Sequence, residues 1–171
     1  MKKLILYIMI VSSILTSQDQ LFVGTRPLGM GGAFIAVADD GNTITWNPAG
    51  LPRLRRKEFT SSYADLYAMD ITHSYTGIVW PFGDRIAVGF DWANVGFDDQ
   101  ELSYSENKLN FSIGYQPFKL VSIGGTFKYL SRDMGLDGTS YGKSTGIGYD
   151  LGFLISPHKK IRFGLGVYDL G

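Results

Sequence analysis

The chain predicts an all-β fold, an antiparallel up-and-down transmembrane β-barrel, on three observations. Five stretches between Arg85 and Leu170 set bulky apolar residues on one parity against small or polar ones on the other. Each is long enough for a tilted strand to cross a bilayer, which takes about 9–11 residues. The small-residue parity is rich in glycine and serine and only sparsely charged. A soluble β-sandwich also alternates, but its outer face is polar and often charged, and its strands have a mode of about 5–6 residues. A face of glycine and serine suits a crowded barrel interior better than a solvated exterior.

Taken from the N-terminus, Met1 to Ser17 reads as a secretory signal. Lys2 and Lys3 form the charged start and Leu4 to Leu15 the apolar run, which is shorter than the roughly 20 residues a membrane helix needs. Cleavage is expected near Ser17, with Gln18 as the mature start. Gln18 to Lys57 then reads as a compact element outside the wall, an N-terminal hatch. Pro27, Pro48 and Pro52 exclude a central strand. Ala33 to Ala38 is an apolar run sized for one or two helical turns, and Arg53, Arg55, Arg56 and Lys57 form a basic cluster before the first strand.

Residues 58–171 read as strands. The expected set is Glu58 to Tyr67, Ile71 to Phe82, Arg85 to Asn94, Lys108 to Pro117, Leu120 to Arg132, Thr145 to Ser156 and Arg162 to Leu170. In the third, Ile86, Val88, Phe90 and Trp92 oppose Ala87, Gly89, Asp91 and Ala93. In the fourth, Leu109, Phe111, Ile113 and Tyr115 oppose Lys108, Asn110, Ser112, Gly114 and Gln116. The fifth sets Val121, Ile123, Phe127 and Tyr129 against Ser122, Gly124, Thr126 and Lys128, with Leu130 a bulky exception. The sixth sets Ile147, Tyr149, Leu151 and Phe153 against Gly146, Gly148, Asp150 and Gly152, and the seventh sets Phe163, Leu165 and Val167 against Arg162, Gly164 and Gly166. Period two means an extended chain with two distinct faces.

The connections at Gly83-Asp84, Phe118-Lys119 and Pro157 to Lys160 are short, whereas Val95 to Asn107 and Asp133 to Ser144 read as long loops. Short periplasmic turns and long external loops are the asymmetry of outer-membrane barrels. Seven strands is an odd number with open edges, which are costly in hydrocarbon. The chain is therefore expected to be the N-terminal half of a longer barrel.

Composition narrows the function. Lys plus Arg and Asp plus Glu are both 16 among 171 residues, 22 are glycine, and cysteine is absent. No basic surplus points to nucleic acid, and the lack of cysteine removes disulfides, thiolate metal sites and thiol nucleophiles. Gly29-Met30-Gly31-Gly32 lacks the βαβ setting of a dinucleotide loop. Asp39-Asp40-Gly41-Asn42 lacks the spacing and distal Glu of a calcium loop and reads as a turn. His73 and Ser74 are adjacent on a strand, so they face opposite ways and cannot form a triad. No enzyme, metal or cofactor is expected. Asp91, Lys108, Lys128, Arg132, Asp150 and Arg162 share the inward parity and are expected to pair with one another. The rings of Tyr63, Tyr67, Trp80, Phe82, Trp92, Tyr115 and Tyr129 are expected in interfacial girdles.

The segment from Gly24 to Leu51 contains Gly-Met-Gly-Gly-Ala-Phe, Ala-Asp-Asp-Gly-Asn and Trp-Asn-Pro-Ala-Gly-Leu in that order. It resembles the N-terminal signature of the PorV/PorQ family of outer-membrane proteins, within the superfamily of the long-chain fatty-acid transporter FadL. The resemblance implies a barrel of 14 strands with a hatch in its lumen, and places Asn47, Pro48 and Ala49 in that hatch. It implies outer-membrane lipid as surroundings. It also implies either passage of hydrophobic small molecules or, as the alternative, a part in type IX protein secretion. Read physically, Asn47 before Pro48 caps a turn, and Gly29, Gly31 and Gly32 permit tight packing against the wall.

Overall fold

The computed structural model describes residues 24–66, 70–99, 102–136 and 139–171. The expected signal over Met1 to Ser17, the start of the hatch from Gln18 to Val23, and Tyr67 lie outside the described residues.

Among the described residues seven strands form one antiparallel sheet in simple sequence order: β1 Glu58–Leu66, β2 Ile71–Phe82, β3 Ile86–Asp98, β4 Leu102–Phe118, β5 Val121–Leu136, β6 Thr139–His158 and β7 Ile161–Leu170. Among the described residues the sheet is not closed, and β1 and β7 are its edges. No helix among the described residues is long and apolar enough to cross a membrane.

Two expected loops are largely strand. Val95 to Asn107 and Asp133 to Ser144 continue the β3–β4 and β5–β6 ladders, with pairing out to Asp98↔Ser103 and Leu136↔Thr139. Glycine, aspartate and serine make these segments look like loops, but cross-strand contacts override such weak preferences. Phe97 stacks on Tyr104 at 5.9 Å. Asn94 donates to Asn107 Oδ1 at 3.1 Å, and Arg132 pairs with Glu106 at 2.6 Å. The result is β4, β5 and β6 at 17, 16 and 20 residues. The turns Gly83–Arg85, Lys119–Leu120 and Lys159–Lys160 are short, as expected.

The two faces of the sheet differ sharply. Along β4, Phe111 is 53% exposed while its neighbours Asn110 and Ser112 are 2% and 0%. Lateral register carries this parity across the sheet. Ile78, Phe90, Phe111, Phe127 and Tyr149 lie in one row, and Phe82, Ile86, Tyr115, Ile123, Phe153 and Leu165 in another. Every residue of both rows is exposed on this free face. The N-terminal segment covers much of the opposite face, but residues 139–147 of β6 are exposed at every position.

That segment folds as α1 Thr25–Gly29, a series of turns, α2 Thr43–Trp46 and a 3₁₀ turn Pro48–Arg53. The helical turns expected over Ala33 to Ala38 are instead isolated hydrogen-bonded turns, such as Val37 N–H to Phe34 O at 2.9 Å. The preceding Gly31 and Gly32 sit at φ +63° and +78°, a left-handed conformation that ends a helix rather than starting one.

Candidate functional site

The candidate site is the contact between the N-terminal segment and the covered face of the sheet. It is organised around Asn47, Pro48 and Ala49, all buried. The Asn47 Oδ1 accepts from Ala49 N–H at 3.1 Å, which caps the 3₁₀ turn, and Pro48 at the first turn position has no N–H to satisfy. The Asn47 amide donates to Ile35 O at 2.9 Å and to Phe153 O at 3.3 Å. One side chain thus ties the turn to the segment's own backbone and to β6.

Beneath the turn the sheet presents a row of small residues. Ala87, Gly114, Gly124, Gly152 and Gly166 are register partners across β3 to β7. A Cβ at Gly124 would lie 2.6 Å from Ala49 N, and one at Gly152 would lie 3.0 Å from both Ala49 N and Pro48 Cδ. Backbone therefore packs directly on backbone. Beside the row, Gly89 admits Ile44 and Gly164 admits Ala36. Two apolar clusters complete the contact: Phe34, Ala38, Trp46, Ala49 and Leu154 form one, and Ile44, Leu51, Leu54, Val79 and Ala87 the other.

Polar groups surround this centre. Thr45 donates to Asp91 Oδ2 at 3.1 Å and Asn110 to Asp91 Oδ1 at 2.7 Å. The Tyr168 hydroxyl donates to Trp46 O. Arg53 reaches Ser156 Oγ at 2.9 Å, and burial lowers the pKa of its guanidinium, with the nearby Arg162 charge adding to the effect. Arg26 bridges Asp40 and Asp39 at 2.7 and 2.8 Å, and those hydrogen bonds raise its pKa. Asp40 also accepts from Asn42 N–H at 2.9 Å, so Asp39 to Asn42 is a turn held by arginine.

The inward charges pair as expected in part. Lys128 sits between Asp150 at 2.6 Å and Asp169 at 2.7 Å. Arg132 takes Glu106, Asp91 is held by neutral donors, and Arg162 pairs with Asp39 of the N-terminal segment at 3.3 Å. His73 is buried on the covered face while Ser74 is not, so the two stay apart.

The three glycines of the Gly-Met-Gly-Gly run do not pack on the sheet. Gly29 and Gly31 have open space where a Cβ would stand, and Gly32 meets only Trp46 at 3.6 Å. Gly31 and Gly32 serve backbone conformation instead. The strand glycines that do meet the segment, Gly77, Gly89, Gly114, Gly124, Gly152 and Gly164, all lie on the inward parity. Their shared parity was the available signal, but only lateral register brings them together. Comparison with protein-family models, curated proteins and solved structures returns no match.

Proposed function

We propose that this chain forms part of the wall of an outer-membrane β-barrel, plugged by its own N-terminal segment, and that the barrel passes hydrophobic small molecules across the outer membrane. One observation carries the reading: bulky apolar side chains on the strands remain exposed on one face, while much of the opposite face is occupied by residues of the same chain. A soluble protein rarely leaves an apolar patch beyond a few hundred Å² open to water, whereas lipid makes such a face favourable. The resemblance of Gly24 to Leu51 to the PorV/PorQ and FadL-type signature supports the same assignment.

Passage requires the plug to move. Its centre is small residues seated on glycine and fastened by a few side chains: Asn47, Thr45, Arg53 and Tyr168. Release also parts the two apolar clusters that join Phe34 and Trp46 to Leu154 and Ile44 and Leu51 to Val79, so the segment moves as a unit. The expected result is that liposomes carrying the intact protein take up a fluorescent long-chain fatty acid several-fold faster than empty liposomes. Equal rates would contradict transport and leave the wall assignment untouched.

The secretion alternative draws on a different observation. β4 to β6 exceed the length needed to span a bilayer, so their β3–β4 and β5–β6 ends stand clear and offer exposed Met134, Leu136 and Tyr141 to a protein. A monomer in mild detergent, with fatty-acid uptake intact, counts against it.

A further inference from the structure

The chain's balanced charge conceals a separation of sign. At the end of the sheet formed by the β2–β3, β4–β5 and β6–β7 turns, Arg55, Arg56, Lys57, Arg85, Lys119, Lys159 and Lys160 are all exposed. At the opposite end the charged groups are mainly acids: Asp65, Asp70, Asp98, Asp99 and Asp133, with Lys143 among them.

Within the cationic rim lies a cleft of about 720 Å³ lined by Arg55, Asp84, Arg85, Gln116, Phe118 and Lys119. Three cations face one carboxylate there. Arg55 donates to Asp84 O at 2.7 Å and touches its carboxylate at 3.4 Å. Asp84 is 94% exposed at its side chain, so it screens Arg55 only weakly. Arg85 and Lys119 have no ion pair among the described residues. Phe118, 71% exposed, lines the cleft itself, and Phe82 and Leu120, 58% and 52% exposed, lie on the chain next to its turns. Lys57 lies over the Trp80 ring at 3.4 Å, a further junction of cation and free-face aromatic.

We infer that this cleft binds the anionic headgroup of a glycerophospholipid, whose acyl chains lie along the adjoining free face. Arg55, Arg85 and Lys119 take the phosphate, Gln116, whose amide already donates to Lys119 O at 3.2 Å, adds its second N–H, and Phe82, Phe118 and Leu120 meet the first methylenes. Cations with apolar neighbours at a membrane boundary favour anionic over neutral lipid. The inference rests on the proposed membrane wall and orients it, placing the short turns in the leaflet that supplies anionic glycerophospholipid.

The test uses the intact protein in nanodiscs of phosphatidylcholine with a minority of phosphatidylglycerol, followed by mass spectrometry of the lipid retained on extraction into detergent. The retained lipid is expected to be enriched in phosphatidylglycerol over the bulk. Combining Arg55→Gln, Arg85→Gln and Lys119→Gln is expected to lower that enrichment at least about fivefold, the share of one interfacial cation. Lys143→Gln at the acidic end leaves it unchanged. Salt at 1 M, where the screening length is about 3 Å, abolishes it in the unaltered protein, which gives a readout even if the triple variant does not fold. Retained lipid of bulk composition, or enrichment that survives salt or the triple substitution, would overturn the cleft. Failure of the protein to enter nanodiscs would instead overturn the membrane wall.

Discussion

Gly124→Val is expected to drive the N-terminal segment off the sheet while the strands stay paired. A Cβ at this position would lie 2.6 Å from Ala49 N and closer still to the Pro48 carbonyl carbon. The obstacle is backbone, not the end of a flexible side chain. Extra methyls in a well-packed site cost about 1–3 kcal/mol when neighbours can shift. Here the neighbours are a 3₁₀ turn capped by Asn47 and a strand held on both sides by β4 and β6, so relief comes by moving the whole segment. Amide hydrogen exchange checks this: protection over residues 43–54 is lost in the variant, and protection of β4 to β6 is kept. Gly142→Val is the control, because a Cβ there meets open space and should change nothing. Unaltered protection at 43–54 in the Gly124 variant would contradict the seating of the turn on the glycine row.

The second large effect is expected at Asn47. Removing its amide leaves Ala49 N–H without its cap and takes one partner each from Ile35 O and Phe153 O, in a fully buried setting. An unsatisfied buried polar group costs about 1–3 kcal/mol and a lost cap about 1 kcal/mol. Asn47→Ala is therefore expected to lower the stability of the docked segment by about 2–4 kcal/mol on those same figures. Asn47→Ser keeps an oxygen able to accept from Ala49 N–H but cannot reach both carbonyls as a donor, so it should recover part of the loss. Denaturant dependence of exchange at residues 47–51 orders the three proteins. A serine variant no better than alanine would mean that the cap contributes nothing.

Much of this arrangement was legible in the sequence, because period two is local. The parity of Ile86 to Trp92, of Leu109 to Tyr115 and of Ile147 to Phe153 assigns each side chain to its face without any knowledge of partners. The turn at Asn47-Pro48 was equally local, since cap and proline are adjacent. What stayed hidden depends on pairs distant in sequence. Val95 to Asn107 looks like a loop until Phe97 meets Tyr104 and Asn94 meets Asn107. Gly114, Gly124 and Gly152 look like relief for a crowded interior until register sets them side by side under Pro48 and Ala49. Arg162 was expected to pair within the wall, yet it takes Asp39 from the segment above it. The helical turns at Thr25–Gly29 and Thr43–Trp46 are too short to leave a periodic trace.

The measurement that bears most directly on the account is where the free face points. The chain has no cysteine, so a spin label on Phe111→Cys, Phe127→Cys or Leu151→Cys reports a single place. With the intact protein in liposomes, labels at these three positions should be relaxed strongly by lipid-soluble oxygen and weakly by a water-soluble nickel chelate, while a label on Lys159→Cys shows the reverse. Nickel relaxation at Phe111, Phe127 and Leu151 as strong as at Lys159 would place the apolar face in water and contradict the membrane wall.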